Sequence, residues 1–99
     1  LRGVGFAAAA GEFVVILDER GRQWTSRELA GELARWQADH GQVALVIGGP
    51  EGFAPAVRAR ANAAWSLSRL TLPHGIARLV VVEQLYRAVT IQRGHPYHK

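Results

Sequence analysis

The order of apolar and polar positions along the chain predicts buried strands alternating with amphipathic helices. EFVVILDERG (Glu12–Gly21) holds a β-branched apolar run that stops at charges and a glycine, as a buried strand does. WTSRELAGELARWQADHG follows, with Thr25 three residues before Glu28, the spacing of a capping box. Leu29, Leu33 and Trp36 fall at i, i+4 and i+7, so one face of this helix is apolar, and Gly41 can close it. QVALVIGG reads as a second buried strand ending in a glycine pair. PEGFAPAVRARANAAW gives a loop and a short helix, with Pro55 suited to the first turn. The third strand is then expected in SLSRLTLPHG, which is rich in hydroxyls and broken by Pro73-His74-Gly75.

The last segment, Ile76 to Gln92, is apolar on nearly every side. Three consecutive valines favour a strand, but seventeen residues without a turn signal favour a helix. Glu83, Arg87 and Thr90 form its one polar stripe, and the first two are spaced for a helical ion pair. A helix apolar on most sides must be covered on most sides. A chain of 99 residues can hardly do that alone, so this helix is expected also to sit in a subunit interface. The alternation as a whole predicts a single α/β domain with a largely parallel sheet flanked by helices.

Composition narrows the chemistry. There is no Cys, which excludes disulfides and thiolate-held metals. No apolar run reaches transmembrane length and no signal-peptide pattern appears, so a cytoplasmic protein with no membrane partner is expected. The chain starts at Leu1 and contains no Met, as expected of a fragment or of a chain missing its leader. The net charge is +4, and eleven of the twelve basic residues are Arg. Arginine forks suit a nucleic-acid partner, while sixteen Ala and eleven Gly beside them also fit a GC-rich genome.

Few local motifs carry chemistry by themselves. GVGFAA matches a loose dinucleotide fingerprint but has only two residues before it where a strand is required, and no glycine-rich stretch leads into G-K-[ST]. IGGPEG places glycines at the carboxyl end of a strand, where open α/β sheets bind ligands; a tight turn would look the same. Ser66, Ser68 and Thr71 beside Leu67, Leu70 and Leu72 suit an uncharged ring, or a buried strand with satisfied hydroxyls. His74 is a candidate to cap the last helix or to face a ligand, and His40 suits a helix C-terminus. The tail RGHPYHK ends in His95 and His98, but Pro96 prevents a helical pair and no acidic residue accompanies them, so no metal is expected. A proton acceptor near neutral pH is the more natural use of such a histidine.

Three stretches in order, VIGGPEG, WSLSRLTLPHGIARLVVVEQLYRA and IQRGHPYHK, resemble the RlmH family. These are small SPOUT-class methyltransferases that modify a pseudouridine of large-subunit ribosomal RNA at N3. The likeness extends back through VVILDERGRQWTSRELAGELARW and so covers nearly the whole chain. It implies an α/β domain tied in a trefoil knot, S-adenosylmethionine as cofactor, ribosomal RNA or the ribosome as partner, and a homodimer. Family members usually begin with a further β–α segment, so residues 1–99 are expected to be a single, N-terminally short SPOUT-like domain.

The resemblance also implies roles by position. Leu17, Gly48 and the run Leu67, Ser68, Arg69, Leu70, Thr71 and Leu72 match the family's cofactor contacts. Tyr97 and His98 match its RNA-side and active-site residues, with His74 and Arg87 as weaker matches. The expected chemistry is attack by N3 on a sulfonium methyl group, with His98 accepting the N3 proton or Arg87 stabilising the anion, and Tyr97 holding the base. The alternative from another class is an inactive RNA- or ribosome-binding module that keeps the knotted fold, bound with a steep salt dependence.

Overall fold

The computed structural model describes residues 11–48 and 52–94. Three parallel strands form one sheet in the order β2-β1-β3: β1 (Phe13–Arg22), β2 (Val43–Ile47) and β3 (Ala63–Trp65). The helices are α1 (Ser26–His40), α2 (Pro55–Arg60) and α3 (His74–Gln92). This is the expected α/β arrangement.

Because side chains alternate along a strand, β1 feeds two separate cores. Val15 packs with Leu29, Leu33 and Trp36 of α1, and with Val81 and Ala88 of α3, on one face. Val14 and Ile16 pack with Ala44, Val46, Phe53 and Val57 on the other, under α2. The predicted capping box opens α1: the Glu28 N–H donates to Thr25 Oγ1 at 3.1 Å, and the Thr25 N–H donates to Glu28 Oε1 at 2.8 Å. Gly41 closes the helix with φ +76°, and its N–H donates to the Gln37 carbonyl.

The third strand departs from expectation. It is Ala63–Trp65, inside the stretch read as loop and helix, while residues 66–73 are irregular. Asn62 guides it into place. Its N–H donates to the Val14 carbonyl at 2.7 Å, and its Oδ1 accepts the Val14 N–H at 2.8 Å. Only then do Val15, Ile16 and Leu17 pair with Ala63, Ala64 and Trp65.

The Leu79–Glu83 stretch is helical, as predicted, although α3 begins at His74 rather than Ile76. Val81 and Ala88 are buried, Ser26 Oγ donates to Gln84 at 2.6 Å, and Gln92 Nε2 donates to the Ala30 carbonyl. The polar stripe is partly buried. Thr90 is buried with its hydroxyl donating to the Arg87 carbonyl, and Arg87 Nε donates to Glu83 Oε1 at 2.8 Å. The exposed stripe is instead Ile76, Leu79, Val82 and Tyr86, an apolar face. Among the described residues no helix is long and apolar enough to cross a membrane.

Candidate active site

The carboxyl ends of all three strands open into one cleft of about 790 Å³. An irregularity in β1 builds its first wall. Leu17 and Arg22 are both register partners of Trp65, so residues 18–21 loop out between them. This carries Asp18, Glu19 and Arg20 into the lining. Gly21 lets the loop return, since a Cβ there would stand 2.6 Å from the Ala64 carbonyl carbon.

The opposite wall is the segment after β3. Ser66 is buried; its N–H donates to the Arg22 carbonyl at 2.8 Å and its hydroxyl to the Ser68 carbonyl at 3.0 Å. Ser68 Oγ accepts the Leu70 N–H at 2.9 Å, which closes a tight turn. Thr71 Oγ1 donates to Glu19 Oε2 at 3.0 Å and ties the two walls together. The hydroxyls therefore shape the loop, and Leu67, Leu70 and Leu72 supply its apolar lining.

The floor is the end of β2. Phe53 lies against Gly48, its ring 3.0 Å from where a Cβ would stand, so a larger residue there would press on the ring. His74, in the first turn of α3, places Nδ1 3.3 Å from the Gly48 carbonyl. It lines the cleft rather than capping its helix.

Charge sits on one side. Arg58 of α2 donates from Nη1 to Asp18 Oδ2 at 2.7 Å, with its guanidinium carbon 5.5 Å above the Phe53 ring. Asp18 Oδ1 accepts the Arg20 N–H at 3.0 Å. That backbone hydrogen bond, with help from the Arg58 and Arg20 cations, holds the Asp18 carboxyl below its ordinary range against the opposing effect of burial. Asp18 is thus an anion throughout neutral pH.

Seven of the eight positions expected to bind cofactor line this cleft: Leu17, Gly48, Leu67, Ser68, Leu70, Thr71 and Leu72. Arg69 does not; it stands exposed on the turn closed by Ser68. His74 is brought to the cleft; Arg87, paired with Glu83, is not among its lining residues. Tyr97 and His98 lie outside the described residues, as does the threading of the tail. The sequence reading missed Asp18, Glu19, Arg20, Phe53, Arg58 and Trp65. For the first three a signal existed, since LDER follows directly on a buried strand at its ligand-binding end.

Comparison with known proteins shows the family of the chain. A family model described as "Predicted SPOUT methyltransferase" matches residues 5–98. Over 89 residues the chain is 56% identical to the "Ribosomal RNA large subunit methyltransferase H" of Pseudomonas aeruginosa. The proteins of the same name from Azotobacter vinelandii and Stutzerimonas stutzeri are 54% and 53% identical. Each match covers 90% of this chain and 57% of the relative, so the chain spans little more than half the length of these curated relatives.

Proposed function

Because the chain belongs to the SPOUT methyltransferase family, we propose that it transfers a methyl group from S-adenosylmethionine to N3 of a pseudouridine in large-subunit ribosomal RNA. The observation that carries this reading is the cleft itself, which gathers seven positions scattered from Leu17 to Leu72 at the carboxyl ends of the strands. The residues present suit the cofactor. An adenosine group needs an apolar slot, for which Leu17, Ile47, Leu67 and Leu72 are available, and an amino-acid group needs both charges, which Asp18 and Arg58 carry. The name shared by the relatives supports ribosomal RNA as the substrate.

When bound, S-adenosylmethionine supplies an electrophilic methyl group, so the protein has chiefly to align, exclude water and remove a proton. The apolar walls hold the adenosine and exclude water. His98 accepts the N3 proton on a ring nitrogen, while Tyr97 stacks on the base or hydrogen-bonds to it. Arg87 is not among the described residues that line the cleft of its own chain, and on this reading it stabilises the N3 anion in a site that a second subunit completes. The apolar stripe of Ile76, Leu79, Val82 and Tyr86 on α3 supports a homodimer through that helix. On this reading the protein works in the cytoplasm, on ribosomes, with its C-terminal segment knotted beside the cofactor.

Calorimetric titration of S-adenosylmethionine into the protein tests the cofactor assignment. Saturable binding at one site per chain, competed by S-adenosylhomocysteine, is expected. Absence of binding would overturn the assignment and favour the inactive RNA-binding module.

A further inference from the structure

The cleft has two chemical characters, and the charged one is built with more care than a chance surface pair. Asp18 has a side chain only 9% exposed, with one oxygen accepting the Arg20 N–H and the other the Arg58 guanidinium. Arg58 is fixed twice, by that 2.7 Å bridge and by the Phe53 ring beneath it. Phe53 is itself anchored, packed against the Val14, Ile16, Ala44 and Val46 cluster and against Gly48. The guanidinium side chain is nonetheless 41% exposed and lines the cleft. A guanidinium has five N–H donors, and a planar fork held in place is suited to a carboxylate.

The other charged groups of the cleft are less suited. Glu19 is engaged by Thr71, and Arg20, with its Nε 3.6 Å from Asp18, has a side chain 76% exposed. A ligand with one cation and one anion therefore finds one fixed partner for each.

We infer that Asp18 and Arg58 read the amino-acid end of the methyl donor, the guanidinium taking its α-carboxylate and the Asp18 carboxylate its α-ammonium group. The inference rests on the cofactor reading above and adds the residues that distinguish an adenosyl amino acid from a plain nucleoside. The amino-acid end of the ligand extends the existing ion pair to four alternating charges and by itself adds no net charge to the cleft. The simpler role for the pair, a brace tying α2 to the end of β1, predicts that its loss disturbs every ligand equally.

Two ligands separate these roles. S-adenosylhomocysteine carries the amino-acid end, and 5′-methylthioadenosine has the same nucleoside without it. Calorimetry on the full chain is expected to show the first binding about 10-fold or more tightly than the second. Arg58→Ala should weaken S-adenosylhomocysteine by roughly 10–100-fold, the range of a charge-assisted hydrogen bond, and leave 5′-methylthioadenosine within about 2-fold. Arg58→Lys, which keeps the charge and loses the fork, should fall between. Asp18→Asn, nearly isosteric, should show the same selectivity for the amino-acid ligand. Equal weakening of both ligands, or equal binding of both to the unaltered chain, would overturn this inference while leaving the cofactor site intact. If neither ligand binds the unaltered chain, the cofactor reading fails and the inference falls with it.

Discussion

His98→Ala is expected to slow methyl transfer by about 10²–10⁴-fold, the usual contribution of a positioned general base, with little change in the affinity for S-adenosylmethionine. The N3 atom of pseudouridine carries a proton, and its lone pair becomes a good nucleophile as that proton leaves. Histidine is the side chain most often used to accept a proton at neutral pH. His74 provides the internal comparison, because among the described residues it is the histidine that lines the cleft. A hydrogen bond from its Nδ1–H to the Gly48 carbonyl leaves Nε2 as the acceptor of the neutral ring. Single-turnover rates for His98→Ala and His74→Ala decide between the two. A large loss at His74 with none at His98 would move the base to His74.

Gly21→Ala is expected to destabilise the domain by about 1–3 kcal/mol, the usual cost of forcing atoms into a filled space. In a domain of this size that lowers Tm on the order of 10 °C. The new Cβ would stand 2.6 Å from the Ala64 carbonyl carbon, 2.7 Å from its oxygen and 2.8 Å from the Trp65 nitrogen. These are backbone atoms of β3, held by pairing to β1, and cannot swing aside as a side chain does. The loop of residues 18–21 must shift instead, moving Asp18 and Glu19 and weakening cofactor binding along with stability. Gly31→Ala, on exposed α1 with nothing within 4 Å of its Cβ, should by contrast stabilise by about 1 kcal/mol. Thermal denaturation followed by circular dichroism measures both. Equal midpoints for the two variants would show that the approach of Gly21 to β3 is not a constraint.

Features written in short-range residue chemistry were legible before the structure. The capping box of Thr25 and Glu28, the closure at Gly41 and the apolar runs of β1 and β2 depend on neighbours in sequence, and all are present. What depended on distant partners was not legible. Strand β3 is three residues long and begins with two alanines, so little in its own composition favours a strand; it forms because Asn62 and β1 receive it. The Asp18–Arg58 bridge joins residues forty apart in sequence, and the return of β1 to Trp65 through Gly21 has no local pattern. On α3 the conspicuous valines concealed which stripe packs: Thr90 is inside and Tyr86 outside, the reverse of what polarity suggests. The cofactor positions came from resemblance, and the cleft gathers all of them except Arg69.

Transfer of label from S-adenosyl-[methyl-³H]methionine to ribosomes that lack the N3-methylpseudouridine of their large-subunit RNA tests the central claim most directly. The account predicts label in that RNA, recovered after nuclease digestion as N3-methylpseudouridine and incorporated far more slowly with His98→Ala. Ribosomes left unlabelled by protein that binds the methyl donor, or label recovered at any other atom, would contradict it.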